Sequence, residues 1–461
     1  MSTLIAISGL GILCLLLEIL NLRKILVPIT CALLAGILGM TYCEYQTQEP
    51  LFSYDTYNMI VDSGLGQIFS MLLIILAILI VGMSPKFYEN NIAKIADYIS
   101  IKIFMLAGAV AMVSFGNFAM FFIGLEVLSV GAYVLAASRP KDSRSNEAGM
   151  KYFMMGAFAS SFVLFGIALV YGATGSFDVA EIKMTSAGFS NIPVWFYAGL
   201  IMISIGMLFK ASIVPFHFWA PDVYEGSPTL VTTMMSTLVK VAAIASFYKI
   251  VLILSAGVTP AYEILIIVLS ILSMTIGNIT ALRQNNIKRM MAFSGISHAG
   301  FMIMPLLVLN EFPNTLIYYT AAYGLAGIAA FAVIMAVCES KGSEDISNFN
   351  GLAKRDPLLA VTLSGAMLSM GGIPVFAGFF AKLFVFNQML EANHLILVIF
   401  GIINSIIAIY YYFRVVNAMF LKSKASKERI NAPVYTIVGV IALLLNLIIG
   451  IFPSIIMGIE M

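Results

Sequence analysis

The sequence predicts an all-α polytopic membrane protein with about 14 transmembrane helices, two inverted five-helix repeats and two broken helices. The first observation is composition, because 61% of the 461 residues are hydrophobic and only 10% are charged, whereas a soluble domain has roughly 25% charged residues. The second is the recurrence of apolar runs, each long enough to cross a ~30 Å hydrocarbon core as a helix. These runs lack the polar and apolar alternation that the strands of a membrane β-barrel show.

The apolar runs define the predicted spans in order. The first run, LIAISGLGILCLLLEIL, has no basic residue before it and no small-residue cleavage site, so we expect a retained span rather than a signal peptide. The seventh run is followed by PFHFWAPDVYEG, which can form a short extra helix, and MGGIP interrupts the twelfth. The predicted spans are residues 3–21, 25–42, 66–85, 102–116, 118–138, 148–172, 193–214, 228–256, 261–282, 288–309, 314–338, 357–391, 395–420 and 433–457.

The charges of the loops predict the orientation of these spans. If the N-terminus lies outside, the long outer loop holds Glu44, Glu49, Asp55 and Asp62 and no lysine or arginine, and only Lys183 and Lys249 fall on or near the outer side. Inside loops are enriched in basic residues in membrane proteins, so we expect both termini on the outer side. The inside loops then carry Arg23, Lys24, Lys86, Lys94, Lys102, Arg139, Lys141, Arg144, Lys151, Arg283, Lys288, Arg289, Lys341, Lys354, Arg355, Arg414, Lys422, Lys424, Lys427 and Arg429.

Three lysines remain inside spans: Lys210, Lys240 and Lys382. With a helical rise of 1.5 Å per residue, Lys240 lies near 18 Å from the start of its span, close to the midplane. A charge at that depth costs about 2.5–3.5 kcal/mol on insertion scales, so buried charges need a compensating role.

The remaining charged or titratable residues in spans are Glu18, Glu126 and His298. Glu126 and His298 each lie roughly 13 Å from the nearer edge of their spans. Glu18 is close to the inner end of its helix, and we expect it to have a structural role. The other buried groups can exchange protons near neutral pH, so we interpret them as a proton-transfer chain. The alternative is a set of ion pairs that only locks the helices together.

Each of two helix interruptions lies beside a buried lysine. Pro215 follows Lys210, and Pro374 precedes Lys382. Proline removes a backbone hydrogen bond and breaks or kinks a helix, and paired broken helices are typical of inverted repeats in transporters.

The two breaks are five spans apart, which predicts two five-helix units. Because five is an odd number, the second unit is inverted relative to the first. The predicted organisation is an N-terminal three-helix segment (1–100), a first unit of spans 4–8 (101–257), a second unit of spans 9–13 (258–421) and a final span (422–461). This pairing matches the span of Glu126 to that of His298, whereas the thirteenth span, which matches that of Lys240, has no charge at midspan.

The cysteines do not indicate a metal site. Cys14, Cys31, Cys43 and Cys338 show no CxxC or other ligand spacing, so we expect small apolar side chains within helices. A formal net charge of +2 without a basic stripe outside the short loops gives no indication of nucleic-acid binding.

Six segments carry a family resemblance. They are FFIGLEVLSVGAYVLAA (121–137), EAGMKYFMMGAFASSFVLFGIALVYG (147–172), FKASIVPFHFWAPDVYEGSPT (209–229), STLVKVAAI (236–244), FSGISHAGFM (293–302) and GGIPVFAGFFAKLFVF (371–386). Over roughly residues 100 to 420 the chain resembles the antiporter-like membrane subunits of respiratory complex I, the proton-pumping NADH:quinone oxidoreductase. The PDVYEGSPT segment is the most discriminating, since subunits L and M and the multisubunit sodium/proton antiporters are expected to differ there.

The resemblance implies a role for each buried group. In this family, a glutamate of the fifth span pairs with a lysine of the seventh, a lysine of the eighth passes the proton onward and a lysine of the twelfth ends the axis. The resemblance therefore implies these roles for Glu126, Lys210, Lys240 and Lys382, with His298 as a relay. It also implies that FMN, the iron–sulfur clusters and the quinone site belong to partner subunits. This chain has no Rossmann fingerprint and no cluster-ligating cysteine pattern. The implied partners are other membrane and peripheral subunits, especially neighbouring antiporter-like and small membrane subunits, in a bacterial inner membrane.

Two questions stay open at this stage. His217, Asp222, Tyr224 and Glu225 either help protons to enter or shape the turn between spans seven and eight and contact neighbours; the second interpretation is favoured. The whole chain could instead be a secondary sodium/proton antiporter component or a non-conducting scaffold.

Overall fold

The computed structural model describes residues 1–49, 51–52, 57–61, 63–89, 94–189, 191–310, 313–421 and 430–459. Several charges used to predict the orientation therefore lie outside the described residues: Asp55, Asp62, Lys422, Lys424, Lys427 and Arg429.

The first half of the chain forms helices joined by short connections. They are α1 (Ser2–Ile19), α2 (Arg23–Thr47), α3 (Gly64–Gly82), α4 (Ser84–Phe87), α5 (Ile95–Ser114), α6 (Phe118–Ala136), α7 (Ser143–Thr174), α8 (Val179–Ala187), α9 (Val194–Lys210), α10 (Trp219–Gly226), α11 (Thr229–Met234) and α12 (Lys240–Ile253), with a π-helical turn (Met235–Val239) between the last two.

The second half continues in the same way. Its helices are α13 (Pro260–Leu282), α14 (Ile287–Met302), α15 (Asn314–Lys341), α16 (Leu352–Arg355), α17 (Pro357–Gly371), α18 (Ala377–Glu391), α19 (Leu395–Leu421), α20 (Pro433–Ile451) and α21 (Ser454–Met457). Short 3-10 turns cover Ser255–Gly257, Met304–Leu307 and Ile346–Phe349.

Within the described ranges, twelve helices are long and apolar enough to cross a membrane. This confirms the predicted fold class of a helical polytopic membrane protein. Val194–Lys210 and Pro357–Gly371 are shorter apolar helices, and each is the first part of a span predicted to be interrupted. The count of fourteen spans stays a prediction.

The two broken helices end differently: α17 ends at a pair of glycines, whereas α9 ends five residues before Pro215. α9 stops at Lys210, and the chain turns through Ser212 at φ 58° before α10. α17 stops at Gly371, and Gly372 follows at φ +82°, a conformation that disfavours residues with a Cβ. In a membrane, the backbone groups freed by a break need other partners. One is supplied by Ser273, whose Oγ accepts from Val214 N–H at 3.0 Å.

The most deeply buried helices lie at the centre of the molecule. In the spans Thr229–Ile253, Ile287–Leu307 and Asn314–Lys341, 94% of the most apolar window is buried. Helices α1, α2, α7, α19 and α20 are far less buried, so their exposed faces are the ones available to lipid. The central helices are therefore the ones that can hold polar side chains away from hydrocarbon.

Two isolated antiparallel bridges occupy matching places in the two predicted five-helix units. Asn117, which caps the start of α6, pairs with Asp178, and Asn286, which caps the start of α14, pairs with Asp345. Helix pairing matches as well, because α5 packs on α6 as α13 packs on α14, and α7 packs on α9 as α15 packs on α17. These matches support the inverted repeat, which stays a prediction.

We expect Gly372→Ala to destabilise the protein by about 1–2 kcal/mol, because the left-handed conformation at φ +82° penalises a Cβ by that amount. The measurement is the thermal midpoint of the purified protein. Gly9→Ala is the matched control: Gly9 lies inside α1, and a Cβ there would meet nothing within 4 Å. Alanine should therefore stabilise that helix slightly. Equal midpoints for the two variants would contradict the explanation of the break.

Candidate functional site

Five side chains that the sequence singles out lie on five different helices. Glu126 is on α6, Lys210 is the last residue of α9, Lys240 is the first residue of α12, His298 is on α14 and Lys382 is on α18. The three lysines and the histidine are each at most 6% exposed, whereas Glu126 is only partly buried.

Lys210 lies in a pocket of hydroxyl and aromatic groups. Its Nζ donates a hydrogen bond to Ser129 Oγ at 2.6 Å and lies 5.6 Å and 5.4 Å from the ring centroids of Tyr133 and Tyr152. Aromatic faces stabilise a cation through their quadrupole. The break after Lys210 therefore places its amine among groups that tolerate its charge.

Glu126 is near this pocket but does not close an ion pair with Lys210. It lies one helical turn before Ser129 on α6, and its carboxylate interacts electrostatically with Lys210. Its Oε1 is buried and has no hydrogen-bond partner among the described residues. The pair is therefore open: the Lys210 amine is bonded to the hydroxyl of Ser129 and not to the carboxylate of Glu126.

Lys240 is held by a backbone carbonyl. Its Nζ donates to Gly295 O of α14 at 2.8 Å. A π-helical turn immediately precedes Lys240, and such turns frequently mark functional sites. Gly295 allows this approach because a Cβ there would lie 3.0 Å from Lys240 Nζ and 3.0 Å from Tyr323 OH.

His298 is hydrogen-bonded at both ring nitrogens. Its Nδ1 is 2.9 Å from Tyr319 OH, and its Nε2 is 3.2 Å from Tyr412 OH. In a neutral imidazole one nitrogen donates and the other accepts. Tyr412 OH also shares a short hydrogen bond with Ser294 Oγ. The histidine therefore belongs to a chain of hydroxyl groups whose donor and acceptor roles can be reversed.

Lys382 faces the end of α17. Its Nζ donates to Met370 O and Gly371 O, each at 3.2 Å, and lies 5.4 Å from the ring centroid of Phe301. Carbonyls at the C-terminal end of a helix carry partial negative charge and favour a cation. A cavity of about 10 Å³, bordered by His298, Tyr323, Met370 and other residues, lies between the histidine and this carbonyl cluster.

The structure brings the predicted residues together in two groups. Lys240 and His298 share Tyr323 as a neighbour, because its hydroxyl lies beside Gly295 and its ring centroid is 5.1 Å from that of His298. Lys382 is bonded to the carbonyl of Met370, and Met370 and His298 border the same small cavity. Glu126 and Lys210 form the other group. No hydrogen bond or ion pair among the described residues joins Lys210 to Lys240.

Sequence reasoning missed three other buried lysines. It assigned Lys102 and Lys288 to inside loops and Lys249 to the outer side, but all three are at most 8% exposed. Lys102 donates to Ser84 Oγ at 3.0 Å, and α5 begins at Ile95, seven residues before the predicted start. Lys249 donates to Val113 O at 3.2 Å near the end of α5, an arrangement typical of helix capping. The predicted spans 102–116, 228–256 and 288–309 contain all three lysines, two of them as the first residue, but the sequence does not show which neighbouring helix covers each side chain.

The inner-side residues Asp222 and Glu225 form ion pairs. Arg289 Nη1 donates to Asp222 Oδ1 at 2.8 Å and to Glu225 Oε2 at 2.7 Å, and Lys151 Nζ lies 3.1 Å from Asp222 Oδ2. Burial raises the pKa of Asp222, but hydrogen bonds from Arg289 and Lys151 outweigh it and hold that pKa below its ordinary value. These pairs support the interpretation that Asp222 and Glu225 shape the turn and bind neighbouring helices.

The other members of this segment lie deeper. His217 is 6% exposed and Tyr224 is 1% exposed. His217 Nδ1 and Tyr224 OH have no hydrogen-bond partner among the described residues. Glu18, by contrast, pairs with Arg23 at the inner end of α1, which supports a structural role. In the part of the chain that the structure describes, no group of three or more His, Cys, Asp and Glu side chains is placed to hold a metal ion.

Comparison with known proteins matches residues 115–408 to the family model described as "NADH:quinone oxidoreductase/Mrp antiporter, TM". A protein of Flavobacterium johnsoniae named NADH-quinone oxidoreductase subunit N is 54% identical, with 99% of each chain covered. The protein of the same name from Cytophaga hutchinsonii is 39% identical, with 100% of each chain covered.

Solved structures show the same fold. A chain of respiratory complex I from Thermus thermophilus is 30% identical, with a TM-score of 0.83 over 99% of this chain and 98% of that chain. A chain of an archaeal membrane-bound sulfane sulfur reductase is 26% identical, with a TM-score of 0.87 over 98% and 95%. A chain of the Mrp complex from Dietzia is similar in fold alone, with 19% identity, a TM-score of 0.84 and coverage of 98% and 95%.

These matches confirm the resemblance from the sequence motifs and place the chain within one branch of it. The chain belongs to the transmembrane family of NADH:quinone oxidoreductase and Mrp antiporter subunits, among the members named NADH-quinone oxidoreductase subunit N.

Proposed function

We propose that this chain is the proton-translocating membrane subunit of a bacterial NADH:quinone oxidoreductase, and that Glu126, Lys210, Lys240, His298 and Lys382 carry the protons. The observation that carries the proposal is the burial of three lysines and one histidine, each at most 6% exposed, inside a membrane protein. Each charge at the bilayer centre costs about 2.5–3.5 kcal/mol. The hydroxyl and carbonyl partners of these lysines stabilise the ammonium and also accommodate the neutral amine.

Closing and opening of the Glu126–Lys210 pair supplies the driving step. An ion pair at ~4 Å with an effective dielectric constant of ~20 is worth about 4 kcal/mol. Moving one charge across 100 mV costs about 2.3 kcal/mol, so the pair is strong enough to move a proton against the membrane potential. The open pair in this structure corresponds to the state in which Lys210 is free to exchange its proton.

The second group of residues passes the proton onward. Lys240 receives it, His298 accepts a proton at one ring nitrogen and releases another from the opposite nitrogen, and Lys382 ends the axis. Tyr319 and Tyr412 are bonded to the two nitrogens of His298, so a proton can enter or leave the imidazole at either nitrogen. The cavity of about 10 Å³ beside His298 and Met370 is near the lower limit for one water molecule, which is enough for one further hydrogen-bonded step.

The redox chemistry belongs to other subunits in this proposal. FMN, the iron–sulfur clusters and the quinone are held by partner subunits, and conformational or electrostatic coupling from them opens and closes the Glu126–Lys210 pair. The direct partners are neighbouring antiporter-like and small membrane subunits and the lipid bilayer. The chain lies in the bacterial inner membrane with both termini on the outer side, as the charges of the loops predict.

We expect Lys210→Met and Glu126→Gln to lower coupled proton translocation by on the order of tenfold, because general acid–base groups contribute about 10²–10⁴-fold and water can replace part of that. The measurements are the rate of proton translocation and the proton yield per electron of the intact complex in proteoliposomes. The matched control is Lys249→Met. Lys249 is 8% exposed, is bonded to a carbonyl near the end of α5 and lies outside the proposed axis.

Two alternatives have distinct outcomes in the same assay. A scaffold role predicts loss of assembly with an unchanged proton yield for Lys210→Met and Glu126→Gln. A sodium/proton antiporter role predicts transport that depends on sodium concentration. Normal pumping by both variants at all sodium concentrations would remove the basis for the proposal.

Gly295→Ala tests the Lys240 site without changing a titratable group. A Cβ at this position would lie 3.0 Å from both Lys240 Nζ and Tyr323 OH, so we expect the amine to leave the Gly295 carbonyl and translocation to slow. Gly172→Ala in α7 has nothing within 4 Å and should leave the rate unchanged. Equal rates for the two variants would show that the carbonyl contact has no role in transfer.

Asp222→Asn tests whether the inner-side carboxylates admit protons or only bind helices together. We expect an unchanged proton yield and a thermal stability lower by a few tenths to about 1 kcal/mol, the usual value for exposed pairs. Glu147→Gln is the control, because the Glu147–Lys151 pair lies within one helix. A lower proton yield for Asp222→Asn alone would favour the intake role.

The pH dependence of this effect has a definite sign. The pKa of Asp222 is lowered on folding, so its contribution is fully present above the ordinary carboxyl value of about 3.9 and disappears as the pH falls through the folded value. The difference in stability between the parent and Asp222→Asn should therefore stay constant from about pH 5 to 8 and vanish only in stronger acid.

A further inference from the structure

The final span, α20, carries a buried amide that the proposed axis does not use. Asn446 lies within the apolar stretch ALLLNLIIG (442–450) and is fully buried. Polar side chains inside a membrane bind another helix or mark a functional site. Because α20 lies outside both predicted five-helix units, the contacts of Asn446 show what the final span contributes to them.

We propose that Asn446 is a positioning residue for proton transfer at Lys382. It holds the two parts of the broken twelfth span in the geometry in which the carbonyls of Met370 and Gly371 face the Lys382 amine. This inference rests on the proposed function above and adds to it a residue from outside the two repeats. Asn446 is not itself a carrier, because a carboxamide offers hydrogen bonds but no proton to exchange.

Asn446 joins α15 to α17 through the two polar atoms of its side chain. Its Nδ2 donates to Ala322 O of α15 at 2.9 Å, and its Oδ1 accepts from Ser369 Oγ of α17 at 2.9 Å. Because a carbonyl oxygen can only accept, the Ala322 contact determines which end of the amide faces Ser369. The hydroxyl hydrogen of Ser369 is then used on Asn446, and the lone pairs of Ser369 Oγ are left for another donor.

Ser369 bridges the break between α17 and α18. Its Oγ accepts from the N–H of Gly378, in the first turn of α18, at 3.2 Å. The first N–H groups of a helix have no partner within it, and inside a membrane they need one from elsewhere. The two helix ends are also closely packed, because a Cβ on Gly378 would overlap Ser369 O. Asn446 therefore orients the hydroxyl that ties the end of α17 to the start of α18.

The same bridge places Lys382. This residue follows Gly378 by four positions, so it lies one turn further along the same face of α18, and Met370 and Gly371 directly follow Ser369. Lys382 Nζ donates to the carbonyls of both residues at 3.2 Å. The serine bond and the lysine contacts thus join the same two helix ends, one turn apart. A shift of either end would change how many carbonyls reach the amine.

The backbone of α20 lies directly against the connection between α17 and α18. Gly450 follows Asn446 by four positions and faces the same side of the helix. A Cβ on Gly450 would lie 2.5 Å from Val375 O and 2.7 Å from Ala377 N. Val375 has a φ of 85°, which is unfavourable for a β-branched residue and persists only where the surroundings hold it. The final span therefore holds the connection at two points one turn apart.

The partners of Asn446 also border the space between His298 and Lys382. The cavity of about 10 Å³ described above is lined by three residues of this hydrogen-bonded group: Ala322, Ser369 and Gly378. Loss of the Asn446 bonds would therefore alter both the carbonyls that face Lys382 and the space through which a proton reaches it.

The test is Ser369→Ala, alone and combined with Lys382→Met, in the intact complex reconstituted in proteoliposomes. Ser369→Ala removes only the hydroxyl that links Asn446 to Gly378, so the complex should assemble on a native gel as the parent does. We expect the rate of proton translocation to fall on the order of tenfold, because a small misplacement of a reacting group slows transfer strongly. Asn446→Leu should act in the same way.

The double variant distinguishes positioning from general stability. Lys382→Met alone should keep a residual rate on the order of a tenth of that of the parent, against which a further loss is measurable. If Ser369 acts through Lys382, adding Ser369→Ala to Lys382→Met should lower the rate no further. Substitutions that act independently would instead combine their effects.

Ser364→Ala and Asn404→Leu are the matched controls. Ser364 is a buried serine of α17 whose Oγ bonds to Ala360 O of the same helix at 2.7 Å. Asn404 is a buried asparagine of α19 that donates to Thr275 Oγ1 of α13 at 3.2 Å. Each control removes a buried hydrogen bond away from the break in the twelfth span and should keep the parent rate of translocation.

The outcomes separate this inference from the proposed function. A loss in Ser369→Ala that disappears in the Lys382→Met background supports the positioning role. If Lys382→Met is impaired but Ser369→Ala matches Ser364→Ala, or lowers the rate equally in both backgrounds, the positioning role is wrong and the axis stands. If Lys382→Met pumps normally, the role of Lys382 in the axis fails together with this inference. Should Asn446→Leu not assemble, Ser369→Ala decides alone.

Discussion

A charged amine can exist in the middle of a bilayer only where oxygen atoms replace its water. A continuous helix has few oxygens to spare, because its carbonyls are used within the helix, so a side-chain hydroxyl or a carbonyl beside a glycine has to serve, as Ser129 and Gly295 do here. Each lysine of the proposed axis lies at an irregularity of the backbone: Lys210 at the end of α9, Lys240 after a π-helical turn and Lys382 against the last carbonyls of α17. The break after α17 supplies the oxygens for Lys382, whereas Lys210 and Lys240 take theirs from Ser129 of α6 and Gly295 of α14.

The hydrogen-bond partners of these three amines are neutral oxygens. Lys240 and Lys382 bind carbonyls, and Lys210 binds a hydroxyl. A carboxylate in constant contact would hold a lysine charged, since breaking a buried ion pair costs about 3–5 kcal/mol; Glu126, the carboxylate of the proposed axis, makes no ion pair with Lys210, which is bonded to Ser129 instead. Neutral oxygens stabilise the ammonium less and tolerate the free amine, so the amine can change state at a moderate free-energy cost. Burial beside neutral acceptors therefore suits these lysines to pass protons on rather than to hold a fixed charge.

Much of this arrangement follows from simple patterns, and the exceptions have a physical reason. Composition and run length predict the helical membrane fold, and Pro215 and Pro374 predict both breaks. Helical rise predicts that Lys240 and His298 are buried. The helical rise gives the depth of a residue in the membrane but not whether its side chain is covered by another helix. Lys249 follows Lys240 by nine residues and so lies on the opposite face of the helix. Its burial against α5 depends on tertiary packing. The same holds for Tyr152, Tyr224 and Tyr323, whose hydroxyl positions are set by helices far apart in the sequence.

The ion pairs of Arg289 with Asp222 and Glu225 have a consequence for how such chains diverge. The arginine belongs to the second five-helix unit of the predicted repeat and the two carboxylates belong to the first. A charge reversal at any one of these positions leaves a like-charge contact unless its counterparts change as well, so the three positions are expected to covary among relatives. A chimera that joined the first unit of one homologue to the second unit of another would have to inherit all three from the same parent.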